Sequence, residues 1–233
     1  MLARYAALSG QLGQPRMTRR TPFVSTVEDG LPVVVINADA GPRLAQVLAD
    51  DAMGTALAVD HLVDLGHRHL LYLGPDVGRH PSIAARGISG SIARLAGRDG
   101  ENGEDQVRRE IATAGAAGDG PVTGLVAYNH WLARVALRAC VAQGVPRDAS
   151  VISCDDVGAL TYAIPALSAV RVPVHEMATA ATDLLVACIE GRQRPQAVRN
   201  VLIGTLVARE STGPAGPGRR LGAKRPRAAD ARP

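Results

Sequence analysis

Residues 151–191 read VISCDDVGALTYAIPALSAVRVPVHEMATAATDLLVACIEG and place a strand, two aspartates, an extended segment and a helix in that order. Val151 and Ile152 form a short β-branched run that ends at Asp155 and Asp156. This spacing predicts both carboxylates just past the carboxyl end of a buried strand. In open α/β sheets, ligands bind at that edge. The stretch therefore predicts an α/β fold with a candidate ligand site after the strand.

The second half of the stretch predicts an extended segment followed by a helix. Pro165 and Pro173 bracket residues 166–172, and a residue that precedes proline avoids helical angles. From Val174 onward, apolar residues recur at steps of three and four until Gly191. This spacing is typical of an amphipathic helix, and glycine is the residue that most often closes one.

Strands and helices alternate along the rest of the chain. The sequence predicts strands at 33–36, 70–73, 122–127 and 151–154, and helices at 51–65, 82–95 and 130–143. Residues 97–120 are rich in Gly, Ala and charge, and they predict a loop with one short helix anchored by Val107 and Ile111. Such alternation implies right-handed crossovers and a mainly parallel sheet.

The motif order resembles the effector-binding domain of LacI/GalR-type transcriptional repressors. In residues 151–191 the resemblance lies in the paired aspartates, a tyrosine, P-x-L-S-x-V-R-x-P, a methionine and the helix end LLVACIEG. Three more segments resemble the family in the same order: DDAMGTALAVDHLVDLGHRHLLYLGP at 50–75, LVAYNHWLARVALRACVAQGV at 125–145 and LVARESTGP at 206–214. The resemblance covers roughly residues 31–214.

The resemblance implies a periplasmic-binding-protein-like fold, with parallel sheet flanked by helices in two lobes. One lobe is expected to be nearly complete and the other partial. The expected division assigns 31–49 plus 173–198 to the remnant of the first lobe, and 50–172 plus 199–213 to the second lobe of the effector-binding domain.

The two ends of the chain carry separate expectations. Residues 1–30 show no sustained periodicity and are expected to be poorly ordered. Residues 214–233 hold six Lys or Arg against one Asp and are expected to be a disordered basic tail. Such a tail can contact nucleic acid through phosphates, but it lacks aromatic residues for base stacking, which favours an end without a partner. No segment resembles a helix-turn-helix headpiece, so an N-terminally truncated chain is expected.

Three residues match polar ligand contacts of the family. Asp155 can accept hydrogen bonds from the hydroxyls of a sugar-like ligand; a turn or N-cap aspartate is the alternative interpretation. The amide of Asn129 can donate and accept at once, with a helix cap as the alternative. Arg86 precedes Gly90 by four residues, where the family places its arginine in an R-x-R-x-x-G arrangement.

One position beside these residues departs from the family. The usual Asn-Asp pair is Asn129-His130 here, so an acidic residue that suits a helix start is replaced by one that interacts less favourably with the helix dipole. Aromatic residues make up only 3% of the chain. Tyr128 and Trp131 are therefore the candidates for stacking on a sugar ring, with a role as core anchors as the alternative.

Motifs for metal, cofactor or catalytic chemistry are not found in the sequence. The three cysteines are unclustered and odd in number, which predicts neither a disulfide framework nor a zinc site. His61, His67 and His69 fall at a helix end, a turn and a strand start, an arrangement more typical of structure than of a metal site. The G-x-x-x-x-G-K-[ST] pattern is missing after Gly74. We expect no cofactor and no catalytic residues.

Function and partners follow from the resemblance. It implies a domain that senses a sugar or a similar small polar effector for a LacI/GalR-like transcription regulator. DNA would be bound only through a headpiece that this chain lacks, and a homodimer remains open.

No apolar run approaches the ~18 residues of a membrane helix, and no signal peptide is evident, so a cytoplasmic protein is expected. The alternatives are a stand-alone sugar-binding protein of the transport type and an enzyme that uses Asp155 and Asp156 as an acid and base.

Overall fold

The computed structural model describes residues 32–38, 44–74, 89–93, 103–117, 120–141, 149–194 and 199–216. The described residues fall into two compact units. The smaller unit contains those up to Asp50 and those from Pro173 to Ile203. The larger unit contains those from Asp51 to Val172 and those from Gly204 onward. The chain therefore passes between the units three times.

Strands and helices alternate through most of the described chain. In chain order they are β1 (Val34–Ile36), β2 (Ala45–Ala49), α1 (Asp51–Asp64), β3 (His69–Leu73), β4 (Ser89–Ala93), α2 (Gly103–Ala117), β5 (Gly124–Ala127), α3 (His130–Val141), β6 (Ser150–Ser153), β7 (Ser168–Arg171), α4 (Val174–Ile189), β8 (Arg199–Leu202) and β9 (Thr205–Val207). A 3₁₀ helix at Gly158–Tyr162 lies between β6 and β7.

The larger unit is built on a six-stranded sheet in the order β4-β3-β5-β6-β7-β9. All neighbouring strands are parallel except β9, which runs antiparallel to β7. Leu71 and Leu73 pack in one core cluster with residues of α2 and α3. Leu70 and Tyr72 pack in a second cluster with residues of α1. Both faces of β3 are thus covered, which explains its continuous apolar sequence.

The smaller unit contains the parallel sheet β1-β2-β8 and the helix α4. Met177, Ala181 and Leu184 are the buried residues of α4, at steps of four and three. Gly191 follows the helix with φ +72°, a left-handed conformation that glycine adopts without strain. The helix predicted from the spacing after Val174 is confirmed.

The predicted α/β fold with parallel sheets flanked by helices is confirmed, but some elements differ from the sequence prediction. The helix predicted at 82–95 is wrong for residues 89–93, which form β4 beside β3. The short helix predicted within 97–120 is a 15-residue helix, α2. Strand β2 was not predicted, because AQVLA has no run of β-branched residues. In β2 and β4, pairing with neighbouring strands outweighs the weak β-sheet propensity of the local sequence.

The division of the chain also differs from the expected one at residues 199–203. The sequence analysis assigned 199–213 to the second lobe, whereas β8 pairs with β2 in the smaller unit. The backbone amide of Asp50 also donates to the carbonyl of Leu202, at 2.8 Å. The expectations for residues 1–30 and for the tail beyond 216 lie outside the described residues. Among the described helices, none is long and apolar enough to cross a membrane.

Candidate functional site

Asn129 and Asp155 lie at the same edge of the six-stranded sheet. Strands β5 and β6 are parallel neighbours with Ala127 opposite Ser153, so the two candidates each follow the last paired residue by two positions. The amide of Cys154 donates to the carbonyl of Ala127 at 2.8 Å and extends this pairing beyond the strand. The parallel strand order thus brings together two residues that are 26 positions apart.

Asn129 closes the amino end of α3. Its Oδ1 accepts a hydrogen bond from the amide of Leu132 at 2.9 Å, which satisfies one of the amides that a helix start leaves without a partner. The capping role considered from the sequence is therefore present. The Nδ2 group has no hydrogen bond among the described residues, so its two N–H donors can still meet a ligand.

Asp155 is held by a tight turn at the end of β6. The hydroxyl of the buried Ser153 donates to the carbonyl of Asp155 at 2.7 Å and accepts from its amide at 3.1 Å. One carboxylate oxygen, Oδ2, lies 2.7 Å from Nδ1 of His130. The side chain of Asp155 is 34% exposed and that of His130 is 43% exposed, so both can be reached from solvent.

Asp156 faces different partners from Asp155. Its side chain is only 3% exposed and accepts hydrogen bonds at Oδ2 from Arg171 at 2.9 Å and from Arg209 at 3.0 Å. Nη1 of Arg209 lies 2.9 Å from Oδ1 but donates to the carbonyl of Leu167. Oδ1 therefore has an electrostatic contact and no hydrogen bond within the described part of the chain. This arrangement is structural and does not pair the two aspartates as an acid and base.

The amino ends of the same strands carry a buried polar network around His67. Nδ1 of His67 lies 3.0 Å from the hydroxyl of Thr123 before β5. Nε2 lies 3.0 Å from the hydroxyl of Ser150 in β6 and 3.1 Å from the carbonyl of Gly213. Because a carbonyl only accepts, Nε2 carries the hydrogen and Nδ1 accepts from Thr123. These hydrogen bonds attach the turn at 66–68 and the segment at 211–215 to the sheet.

Three titratable groups make the stability of the larger unit depend on pH. Burial lowers the pKa of His67 and His61 below 6.5, although the carbonyl of Gly213 opposes the shift at His67. At Asp156 burial raises the pKa, but the hydrogen bonds and charges of Arg209 and Arg171 outweigh it and lower the pKa overall.

We expect the free energy of unfolding to fall as the pH drops below about 6.5. The unfolded chain then binds protons at both histidines that the folded chain excludes, at up to about 1.4 kcal/mol per pH unit for each proton. The contribution of Asp156 is present above its unfolded pKa of about 3.9 and is lost as the pH falls through the lower folded value. Urea unfolding between pH 7.5 and 5 measures the histidine part, and a flat profile would contradict the burial of neutral His67.

The other residues considered from the sequence are Arg86, the possible metal ligands, the cysteines and two aromatic residues. Arg86 lies outside the described residues, so its role stays a prediction. In the described ranges no three His, Cys, Asp or Glu residues form a group that could hold a metal ion. Burial raises the pKa of Cys140 to about 12, which leaves its thiol protonated near neutral pH. Trp131 is half exposed beside Asn129, and Tyr128 packs against both core clusters.

The partners of the candidate residues were not predicted from the sequence. His130 was interpreted only as a departure at the helix start, and no partner was given for Asp156. The acidic residue of the family pattern is replaced at position 130, and Arg209 stands in the R-E-S-T-G ending. Both residues were visible as signals, but contacts between residues 25 and 53 positions apart require the sheet register.

The sequence is similar to a known domain family and to known transcriptional regulators. Residues 59–212 match the family of the periplasmic binding protein-like domain. An uncharacterised HTH-type transcriptional regulator in the aml 5' region of Streptomyces limosus is 36% identical over 82% of this chain and 57% of its own length. The HTH-type transcriptional regulator GalR of Escherichia coli is 31% identical over 71% of this chain and 50% of its own length.

Two solved structures of a LacI family transcriptional regulator from Arthrobacter sp. FB24 are similar to this chain. One has a TM-score of 0.69 at 26% identity and covers 84% of this chain and 76% of its own chain. The other, in complex with lactose, has a TM-score of 0.68 at 27% identity. That complex covers 82% of this chain and 74% of its own chain. This chain spans about half the length of the curated relatives that it matches.

Proposed function

Since the chain belongs to the periplasmic binding protein-like domain family, in the form found in LacI/GalR-type regulators, we propose that it senses a sugar or a similar small polar effector. The effector is proposed to bind at the edge formed by Asn129 and Asp155, with Arg86 as a third contact. The observation that carries the proposal is the placement of a donating amide and a partly exposed carboxylate after two adjacent parallel strands.

The chemistry of this edge suits a polyhydroxylated ligand. The carboxylate of Asp155 accepts hydrogen bonds from hydroxyls, and bonds to a charged acceptor are stronger than neutral ones. The Nδ2 group of Asn129 donates, because its oxygen is engaged in the helix cap. A sugar hydroxyl can both donate and accept, so neighbouring hydroxyls can use both groups together. The lactose complex of the Arthrobacter regulator supports this choice of ligand class.

The wider role that we propose is transcription regulation. The curated relatives are transcriptional regulators, which favours a sensor over a transport protein or an enzyme. Binding of the effector would shift the population of the domain between two states, and a DNA-binding headpiece outside this domain would respond. We further propose a cytoplasmic location and assembly as a homodimer. No membrane partner and no cofactor are part of the proposal.

Calorimetric titration of the 233-residue chain with lactose, cellobiose, galactose and ribose tests the proposal. We expect saturable binding of at least one of these sugars. Asp155→Ala should raise the Kd of that sugar by on the order of a hundredfold, because one or two hydrogen bonds to a charged group are lost. Asp183→Ala removes an exposed aspartate on α4 and should leave the Kd unchanged. Absence of binding by every sugar, or an unchanged Kd for Asp155→Ala, would contradict the proposal.

A further inference from the structure

We infer that His130 is a specificity-determining residue of the ligand site: it occupies one oxygen of Asp155 and supplies a second hydrogen-bonding atom to the ligand. This inference rests on the proposed function and deepens it. His130 is the first residue of α3 and directly follows the capping Asn129.

The contact between His130 and Asp155 fixes which ring nitrogen is engaged. Nδ1 lies 2.7 Å from Oδ2, and because a carboxylate only accepts, Nδ1 must carry the hydrogen. In the neutral ring the other nitrogen, Nε2, is then a hydrogen-bond acceptor. Both side chains are partly exposed, so Nε2 and the free carboxylate oxygen remain within reach of a ligand.

The contact changes what Asp155 can offer. A carboxylate with both oxygens free can accept from two hydroxyls at once. Here Oδ2 already accepts one hydrogen bond from His130, so Oδ1 is the oxygen with all of its lone pairs available, and Nε2 of His130 is an additional acceptor on the neighbouring side chain. Within the described residues neither atom has another hydrogen bond. The edge therefore presents two acceptors on two side chains, beside the donating Nδ2 of Asn129.

Local structure does not require this contact. Oδ1 of Asn129 already caps α3, and the hydroxyl of Ser153 already fixes the turn that carries Asp155. A polar contact between two side chains as exposed as those of His130 and Asp155 adds little to stability. The contact is therefore best explained by its effect on the exposed carboxylate, and the ligand class it favours is a sugar whose two hydroxyls are recognised by separate side chains.

A cycle of variants and deoxy-sugars tests the inference. The sugar with the lowest Kd among lactose, cellobiose, galactose and ribose, and its monodeoxy derivatives, are titrated into the full chain. For the unmodified protein, loss of the hydroxyl bound by His130 should raise the Kd about tenfold, as expected for one hydrogen bond. His130→Ala should bind the parent sugar about tenfold more weakly and should no longer distinguish that derivative from the parent.

Two further variants separate recognition from structure. His130→Asn keeps an N–H group close to Oδ2 of Asp155 but lacks the Nε2 acceptor, so it should lose the same discrimination. His130→Gln places an acceptor near the position of Nε2 and should restore part of it. Arg134→Ala, one turn further along α3 on an exposed side chain, is the matched control and should behave as the unmodified protein. The melting temperature of each variant without ligand shows whether it is folded. If His130→Ala does not fold, the comparison is made with His130→Asn.

The outcomes distinguish this inference from the proposed function. If the unmodified chain binds a sugar but His130→Ala and His130→Asn still discriminate the deoxy derivatives as it does, His130 recognises no hydroxyl and only the inference is overturned. If the unmodified chain binds none of the four sugars, the proposed function fails and the inference fails with it.

Discussion

Asp156→Ala is expected to lower the free energy of unfolding by about 3–5 kcal/mol, the cost of leaving a buried charge without its partner. The carboxylate is almost fully buried, and the guanidinium of Arg209 beside it is only 13% exposed. Removal of Asp156 also releases Arg171 from the end of β7. Because small domains are stable by roughly 5–15 kcal/mol, a loss of this size should be visible as a large shift of the urea midpoint.

Arg171→Ala is the matched control for this prediction. Arg171 donates to Oδ2 of Asp156, as Arg209 does, but the side chain of Arg171 is 58% exposed. Solvent therefore screens the interaction, and its removal should cost no more than about 1 kcal/mol. Equal effects of Asp156→Ala and Arg171→Ala would show that Asp156 is not the buried centre of this cluster.

His67→Ala should lower the free energy of unfolding by on the order of 3 kcal/mol. The change leaves a cavity where a fully buried ring stood, and it removes hydrogen bonds from Thr123, Ser150 and Gly213. Each buried polar group that remains without a partner is costly. Urea unfolding at pH 7.5, where the histidine is neutral, gives the size of the effect without a contribution from protonation.

His61→Ala provides the comparison for His67. The ring of His61 is partly buried, and its one hydrogen bond to the described residues joins Nε2 to the hydroxyl of Thr212 at 2.9 Å. Its loss should cost about 1 kcal/mol. If His67→Ala costs no more than His61→Ala, the network around His67 does not hold the segment at 211–215 to the sheet.

The helices and strands that were predicted correctly are those whose pattern of apolar residues lies within the segment itself. Leu70 to Leu73 is an unbroken apolar run, and Met177, Ala181 and Leu184 repeat at helical spacing. Strands β2 and β4 were missed because neither AQVLA nor SGSIA has a strong β-sheet composition. Their strand conformation comes from hydrogen bonds to β1, β8 and β3, and a sheet partner is not visible in the segment itself.

The candidate site was predictable in position but not in detail. The strand at 151–154 predicted Asp155 at the carboxyl edge of the sheet, and the resemblance to LacI/GalR-type regulators implied Asn129. The helix cap formed by Asn129 was one of its two interpretations, but the contact of His130 with Asp155 was not predicted. It depends on the start of α3, which turns Oδ1 of Asn129 toward Leu132 and brings His130 beside Asp155.

Amide chemical-shift mapping tests the central claim most directly, because the two ends of the same strands carry different groups. The unmodified chain is titrated with the sugar that binds it most tightly, and the shifts of backbone amides are followed. The account predicts the largest changes at residues 128–132 and 154–156, and small changes at the opposite ends, around His67, Thr123 and Ser150. Changes centred on the His67 end, with residues 128–132 and 154–156 unaffected, would contradict it.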